Sequence, residues 1–161
     1  MTEPASPPRA SDGSLPLARL LAIAYRQLIT ELHAELARRG WTDVRPAYGF
    51  ALLALRTGPL SGGELGAAMG MTKQASSKLV DALVDAGYVR RRVARSDARV
   101  RPVELTRRGR GLLATSEEIY RELEGHWSAI IGADRLTALR DDLVSVVQSP
   151  DGELPPVRPL W

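Results

Sequence analysis

Cysteine is absent from the sequence, and lysine is scarce, because only two of the 22 basic residues are lysines. The lack of cysteine excludes disulfide bonds, thiolate zinc sites and redox sensing through thiols. No apolar run reaches the length of a bilayer crossing, and the N-terminus lacks the basic and then apolar pattern of a signal peptide. We therefore expect a cytoplasmic protein that has no membrane partner.

The residues that most enzymes depend on are also sparse. His33 and His126 are the only histidines. They lie far apart in sequence, and neither has a metal-ligand spacing or a nucleophile beside it. Glycine-rich phosphate loops are missing as well. The sequence thus predicts that the protein is not an enzyme and that it has no metal and no cofactor.

The length and the apolar content predict one domain with its own core. The chain has 161 residues, of which 44% are apolar. Residues 1–14 carry three prolines among small residues and are expected to be a disordered arm. Residues 149–161 hold four prolines and are expected to be a flexible tail. The domain is therefore expected to span residues 15–148.

The segment from Ser61 to Thr106 has the pattern of a winged helix-turn-helix. Ser61 and Glu64 form a capping box that starts one helix, and this helix is expected to end at Gly70. Thr72 caps a second helix, which should end at Gly87. Residues 88–93 and 99–105 read as two strands joined by a polar tip at 94–98. Helix, turn, helix and hairpin is the order of that fold.

Three glycines and one proline qualify this pattern. Gly62, Gly63 and Gly66 predict that the first helix of the motif is weak, because each glycine costs up to about 1 kcal/mol relative to alanine. Pro102 lacks the amide that a central strand would use, so we expect an edge or a local break at this position.

Basic charge is concentrated in the same segment. Residues 61–111 have eleven basic side chains and five carboxylates, a net charge of +6, whereas residues 1–60 carry +2 and residues 112–161 carry −5. Both lysines, Lys73 and Lys78, lie on the second helix of the motif. A local basic surface of this kind is typical of proteins that meet phosphates.

The ordered motifs of this segment resemble the MarR family of bacterial transcription regulators. The residues that carry the resemblance are Leu65–Gly70, Met71-Thr72-Lys73-Gln74-Ala75, Leu79-Val80-Asp81, Gly87-Tyr88-Val89, Asp97-Ala98-Arg99 and Val103–Gly109. With the flanking helices the resemblance covers residues 15–148. It implies a mostly α-helical fold with a small β-hairpin wing. Residues 45–105 would form the winged lobe, and residues 15–40 and 106–148 would form N- and C-terminal dimerisation helices.

The residue types on the second helix indicate how DNA would be read. Gln74 can bond an adenine edge, and Lys73 can reach guanine acceptors or a phosphate. Ser76 and Ser77 are short and adaptable, whereas Lys78 lies one turn later and suits a phosphate. Thr72 lies at the exposed start of the same helix. We therefore expect Lys73, Gln74 and Ser76 to contact bases.

Two further groups complete the expected DNA surface. The backbone amides at Ser61 offer a phosphate site at a helix N-terminus. At the wing, the family resemblance implies that Asp97 orients Arg99 towards the minor groove or its phosphates, with Arg95 and Arg101 on either side.

The flanking helices carry apolar stripes that predict a homodimer. Leu17, Leu20 and Leu21 begin the first stripe, and residues 106–148 carry two more. A second copy of the chain would bury surfaces that a monomer leaves wet. A twofold dimer also predicts an operator that is an inverted repeat. The alternative is that these stripes only form the core of a monomer.

Regulation and partners follow from the resemblance. It implies a repressor that a small, often aromatic or phenolic effector releases from double-stranded DNA. The candidate ligand-binding residues are Arg26, His33, Trp41 and Tyr48. The rival hypothesis is a winged-helix module that binds another protein and has no specific affinity for DNA.

Overall fold

A computed structural model describes residues 15–92 and 101–155. These residues form six helices and one two-stranded antiparallel hairpin, a mostly α-helical winged helix-turn-helix fold as expected. The elements are, in chain order, α1 (Leu17–Arg38), α2 (Pro46–Ala54), α3 (Gly62–Ala68), α4 (Lys73–Asp85), β1 (Val89–Arg91), β2 (Val103–Leu105), α5 (Arg107–Ile131) and α6 (Ala133–Val147).

Side-chain caps start the helices of the winged segment where the sequence predicts them. Ser61 Oγ accepts from the Glu64 amide at 3.1 Å, and the Glu64 carboxylate accepts from the Ser61 amide at 2.7 Å, which completes the capping box of α3. Thr72 Oγ1 accepts from the Ala75 amide and caps α4. Gly70 and Gly87 follow the two helices with φ of +64° and +75°, a conformation that glycine adopts without strain. These predictions are confirmed.

The hairpin is shorter than the sequence predicts within the described residues. Its register pairs Val89 with Leu105, Arg90 with Glu104 and Arg91 with Val103. Strand β2 begins immediately after Pro102, whose carbonyl accepts from the Arg92 amide at 2.7 Å. The missing amide of Pro102 thus falls at the start of the strand, where a break was expected.

Leu60 adds a pairing that the sequence did not reveal. The Leu60 amide donates to the Val103 carbonyl at 3.1 Å, and the Val103 amide donates to the Leu60 carbonyl at 2.7 Å. The chain therefore enters α3 while it is already hydrogen-bonded to β2. This pairing fixes the start of α3 against the base of the hairpin.

The core lies in the winged lobe and beneath the parts of α1 and α5 that cover it. α1 contributes Leu32 and Leu36 from its C-terminal half, and α5 contributes Leu112, Ile119 and Leu123. No residue of α6 is buried. The first half of α1 and the whole of α6 therefore contribute no buried residue to this core.

Gly66 permits a close approach between α3 and α4. A Cβ atom at this position would lie 2.9 Å from Ser76 Cβ and 3.1 Å from Ser76 Oγ. The expectation that Gly66 only weakens α3 is therefore incomplete, because its missing side chain lets the two helices pack. Gly62 and Gly63 show no such contact tighter than 3.9 Å.

A second close approach joins the start of α5 to the start of the hairpin. A Cβ atom at Gly109 would lie 2.1 Å from the Tyr88 carbonyl oxygen. Thr106 lies between them, since its Oγ1 is 2.7 Å from the Gly87 carbonyl, 3.0 Å from the Tyr88 carbonyl and accepts from the Gly109 amide at 3.1 Å. The segment from Thr106 to Gly109 thus anchors α5 to the winged lobe.

Ion pairs connect the long outer helices. Arg39, after α1, contacts Glu35 at 2.9 Å and Glu122 of α5 at 2.6 Å. Arg140 of α6 contacts Glu124 of α5 at 2.7 Å. Among the described residues, no helix combines the length and the hydropathy that a bilayer crossing requires.

The chain turns back after α6. The Ser149 amide donates to the Glu153 carbonyl at 2.9 Å, and the Gln148 side chain donates to the Gly152 carbonyl at 2.6 Å. The first residues of the segment that was expected to be a flexible tail therefore form a hydrogen-bonded turn. Leu154 follows this turn and lies beside Leu143 and Val147 of α6.

Candidate nucleic-acid interface

One side of α4 presents polar and basic side chains to solvent. Lys73, Gln74, Ser77 and Lys78 are all exposed, as is the capping residue Thr72. Within the part of the chain that the structure describes, neither lysine forms an ion pair. This side of α4 has the chemistry expected of a helix that reads DNA.

Ser76 does not belong to this exposed surface. Its side chain is 1% exposed, and its hydroxyl donates to the Gly62 carbonyl at 2.6 Å. The helical repeat turns position 76 towards α3, so the hydroxyl cannot reach a base. The prediction that Ser76 contacts bases is wrong, and its role is to fix α4 against α3.

A groove brings two of the predicted residues of α4, Lys73 and Ser77, together with the hairpin. It runs between the start of α3, the exposed side of α4 and the base of the hairpin. Nine residues line this groove, which we call the α4 groove: Ser61, Gly62, Gly63, Lys73, Ser77, Val80, Arg91, Arg101 and Val103. Lys73 and Arg101 therefore share one concave surface, and three cationic side chains converge on it.

Ser61 is placed at the edge of the α4 groove, although its amide is already engaged. The hydrogen bonds that the Ser61 backbone and side chain make to Glu64 lower the pKa of the Glu64 carboxyl. A carboxylate thus occupies the helix N-terminus that was expected to bind a phosphate. The amide of Ser61 itself is not available for that role.

Carboxylates hold the three consecutive arginines of the hairpin stem. Arg90 Nε and Nη2 lie 2.8 Å and 2.7 Å from Glu104 Oε1. Arg92 Nη1 lies 4.0 Å from Glu104 Oε2. Arg91 pairs with Asp81 of α4. These pairs were not predicted from the sequence, although the facing positions of Arg90 and Glu104 in a hairpin are a signal that could have predicted the first.

The tip of the wing lies outside the described residues. Arg95, Asp97 and Arg99 all fall in the range 93–100. Their expected contacts with the minor groove remain predictions from the family resemblance.

Two of the candidate effector residues belong to an aromatic cluster. The Tyr88 ring lies 6.2 Å from Trp41 and 5.8 Å from Tyr48, measured between ring centroids. The Arg108 guanidinium stacks over Tyr88 at 4.8 Å and over Trp41 at 5.3 Å. Trp41 and Tyr48 thus pack together in a cationic aromatic cluster, and Tyr48 is only 4% exposed.

Asp43 gives this cluster a polar end. The Tyr88 hydroxyl donates to Asp43 Oδ1 at 2.6 Å, and Arg108 Nη2 lies 3.2 Å from the same oxygen. Burial and the neighbouring carboxylate raise the pKa of Tyr88 to about 12. The Tyr88 hydrogen bond, assisted by Arg108, lowers the pKa of Asp43. The network joins the loop after α1 to the hairpin and to α5.

An open cleft lies beside Tyr48. It is lined by Thr42, Asp43, Val44, Arg45, Tyr48, Ala82, Asp85 and Ala86. The Arg45 guanidinium is 6.0 Å from the Tyr48 ring. The cleft therefore offers a cation, carboxylates and one aromatic surface, next to the C-terminal end of α4.

The other two effector candidates lie on α1. Arg26 is exposed and His33 is half-buried. Partial burial lowers the pKa of His33. Neither residue is among those that line the cleft beside Tyr48. The structure therefore does not bring the four candidates together at one site.

The comparisons with known proteins point to the same family. A sequence model of the MarR family matches residues 42–100. The exopolysaccharide II synthesis transcriptional activator ExpG of Rhizobium meliloti (strain 1021) is 34% identical over 98 residues, which cover 61% of this chain. The matched segment spans only 50% of the length of that relative.

Solved structures resemble the whole fold. A MarR family protein of Mycobacterium tuberculosis, in complex with salicylic acid, is 29% identical and has a TM-score of 0.63, covering 86% of this chain and 99% of that one. The transcriptional repressor CouR, bound to a 23-mer DNA duplex, has a TM-score of 0.68 at 23% identity and covers 89% of this chain and 100% of its own. The winged segment of the chain is therefore similar to the MarR family, and its fold is the one found in the structures of MarR family proteins.

Proposed function

We propose that this protein is a transcriptional regulator that binds double-stranded DNA as a homodimer. The observation that carries the proposal is the α4 groove, in which Lys73 and Arg101 converge beside the exposed side of α4. Cations on a helix and on an adjacent hairpin suit a helix in the major groove with a wing over the neighbouring backbone. The transcriptional repressor CouR, which has the same fold, is bound to a 23-mer DNA duplex, and this supports double-stranded DNA as the partner.

The exposed apolar residues support a second copy of the chain. Apart from Leu53, the large apolar side chains exposed among the described residues belong to the first half of α1, the end of α5, α6 and the turn after it. Ile130 is 81% exposed and Val146 is 80% exposed. Exposed apolar side chains that are concentrated on a few helices favour an interface with another protein. A twofold pairing of these helices would cover these side chains on both subunits.

A homodimer determines the form of the operator. Two α4 helices related by a twofold axis would enter successive major grooves, about 34 Å apart, so the target would be an inverted repeat. We propose repression as the outcome, because a dimer that covers a promoter excludes polymerase. The Rhizobium relative is a transcriptional activator, so activation is the alternative outcome. Such a protein works in the cytoplasm, where the chromosome lies.

The cleft beside Tyr48 is the proposed effector site. Arg45 can pair with the acid group of a small aromatic ligand, and the carboxylates of the cleft can accept from a phenol hydroxyl. The Mycobacterium tuberculosis relative in complex with salicylic acid supports this chemical class. A ligand in the cleft would release DNA only if it bound more tightly to a lobe arrangement that does not fit DNA.

A salt titration of DNA binding tests the proposal. Fluorescence anisotropy with a 30-base-pair duplex pool should give affinities that fall steeply with salt, because several phosphates are contacted. Lys73→Ala should weaken binding by about tenfold and reduce the salt slope by roughly one unit. Arg99→Ala, at the wing tip, should abolish high-affinity binding while dimerisation and the melting temperature stay nearly unchanged.

Arg121→Ala is the matched control, because Arg121 is an exposed cation on α5 outside the α4 groove. It should change the affinity by less than about twofold. Absence of duplex binding by the wild-type protein at low salt would favour the rival hypothesis of a protein-binding module. Equal losses in the Lys73 and Arg121 variants would remove the α4 groove from the mechanism.

A further inference from the structure

The stem of the hairpin carries Arg90, Arg91 and Arg92 in succession, and the strand alternation separates them. Arg90 and Arg92 share the outer face of the hairpin with Glu104, because Arg90 pairs with Glu104 in the register. Arg91 pairs with Val103 and belongs to the opposite face, where it lines the α4 groove. Both faces thus carry cations close to the expected path of DNA.

Glu104 contacts Arg90 closely and Arg92 at a longer distance of 4.0 Å. Two nitrogens of the Arg90 guanidinium contact one carboxylate oxygen of Glu104, at 2.8 Å and 2.7 Å. The Glu104 side chain is 20% exposed, whereas the Arg90 side chain is 71% exposed. The carboxylate is therefore shielded beneath the arginines that it neutralises, and water competes for it less than at an open surface.

Asp81 neutralises an arginine on the face of the hairpin that lines the α4 groove. It lies on α4, two turns after Lys73, and pairs with Arg91. Asp81 and Glu104 are the only carboxylates that pair with cations of the hairpin stem within the described residues. In contrast, the two lysines on α4 form no ion pair in the same part of the chain. Among the described residues, the basic surface is thus divided into the neutralised Arg90, Arg91 and Arg92 on one side and Lys73, Lys78 and Arg101, which form no ion pair there, on the other.

We propose that Glu104 and Asp81 are selectivity residues that keep the hairpin-stem arginines from binding the phosphates of random DNA. The inference rests on the proposed DNA binding. An unpaired arginine attracts any phosphate, because this attraction does not depend on sequence. An arginine held by a carboxylate must exchange that partner first, so it adds little to non-specific affinity. Recognition of the operator then depends on the contacts of α4 and the wing tip.

Charge-neutral variants of the two carboxylates test the inference. Glu104→Gln keeps an acceptor for Arg90 but removes the negative charge. Binding is measured by fluorescence anisotropy across a salt series. One probe is a random-sequence duplex, and the other is the duplex that the wild-type protein enriches from a random pool.

The expected changes are larger for the shielded carboxylate. Glu104→Gln should tighten binding to the random duplex by about fivefold at low salt. The slope of log affinity against log salt should become steeper by roughly one unit, because about one more phosphate is contacted. Asp81→Asn should tighten it by about twofold to threefold, because the Asp81 side chain is 56% exposed. Binding to the enriched duplex should change less in both variants, so the ratio between the two probes should fall. The double variant with Glu104→Gln and Arg90→Gln should lose most of the affinity for the random duplex that Glu104→Gln alone gains.

Glu117→Gln is the matched control, because Glu117 also pairs with an arginine, Arg56, at 3.0 Å, but outside the hairpin and the α4 groove. It should leave both affinities within about twofold of the wild type. The inference is overturned if Glu104→Gln binds the random duplex no more tightly than the wild type, or if Glu117→Gln tightens binding equally. A wild-type protein that binds neither duplex would instead overturn the proposed function itself. Circular dichroism melting curves confirm that each variant is folded.

Discussion

The winged lobe and the outer helices bury their apolar side chains to very different extents. In the lobe, Leu52, Leu65, Leu83 and Tyr88 are completely buried. In α6, no residue is buried, and Val146 is 80% exposed. Both regions are rich in leucine and valine, so the difference does not come from composition. The difference arises because the chain itself supplies an opposing apolar surface for the lobe but not for α6.

This difference separates two kinds of apolar stripe. The stripes of α2 to α4 find their partners within about fifty residues, so the lobe packs as one body. The stripes at the two ends of the chain meet each other only partly. A stripe that its own chain leaves exposed indicates an interface, and for a pair of such stripes the simplest partner is a second copy.

Gly109→Ala should break the packing of the lobe and has the largest expected effect. The new Cβ atom would lie 2.1 Å from the Tyr88 carbonyl oxygen, which belongs to the backbone and cannot rotate away. We expect a loss of about 3 kcal/mol in the free energy of unfolding, as for severe overpacking. Chemical denaturation measures this loss.

Gly125→Ala is the control on the same helix. No atom lies within 4 Å of the position that its Cβ would occupy. This variant should gain roughly 0.5–1 kcal/mol, because alanine favours a helix interior over glycine. Equal effects of the two substitutions would show that the junction between α5 and Tyr88 is looser than the distances indicate.

Charges on the outer helices should separate the dimer without unfolding the lobe. In Leu20→Asp combined with Val146→Asp, both carboxylates replace side chains that are exposed in one subunit. Burial of these charges between two subunits should weaken dimerisation by at least roughly hundredfold. Sedimentation equilibrium measures the dissociation constant.

Leu53→Asp provides the matched comparison, because Leu53 is 40% exposed but lies on α2 in the lobe. It should leave the dimerisation constant unchanged. A wild-type chain that is monomeric at micromolar concentration would instead mean that the outer stripes serve another purpose.

Substitution of the adjacent serines Ser76 and Ser77 should have the smallest effects on stability. The comparison tests which side of α4 faces the core of the lobe. Ser76→Ala removes the hydroxyl that donates to the Gly62 carbonyl, and we expect a loss of about 1 kcal/mol in stability. Ser77→Ala removes an exposed hydroxyl on the α4 groove and should change stability by less than about 0.5 kcal/mol. Ser77→Ala should also change the affinity for DNA, because Ser77 lines the α4 groove. A larger loss of stability in the Ser77 variant would contradict the assignment of the two faces of α4.

The local elements were predictable because their signals are local. Ser61, Thr72 and Thr106 cap three helices where a hydroxyl precedes a helical pattern, and Gly70 and Gly87 follow two of them. These features depend on residues within four positions of each other. The order of helices and hairpin therefore followed from the sequence alone.

The sequence predicted the candidate site less completely, because side-chain direction depends on packing. Ser76 and Ser77 have the same chemistry, and only the contact of α4 with α3 decides which one is buried. The pair between Arg91 and Asp81 joins two elements whose separation in space no local pattern reveals. The bridge between Leu60 and Val103 was missed for the same reason.

The aromatic cluster shows a further limit of sequence reasoning. Trp41 and Tyr48 were candidates for an effector pocket because aromatic side chains are common in such sites. In the structure both rings pack against Tyr88, whose hydroxyl is bound by Asp43. Only Tyr48 also reaches the open cleft.

Selection of bound duplexes from a random-sequence pool tests most directly whether two lobes act together on DNA. If the outer helices join two subunits, the enriched duplexes should contain an inverted repeat whose half-sites lie about one helical turn apart. The Leu20→Asp and Val146→Asp variant should no longer enrich such a repeat. Enrichment of single half-sites by the wild-type protein, or of no sequence at all, would contradict the arrangement.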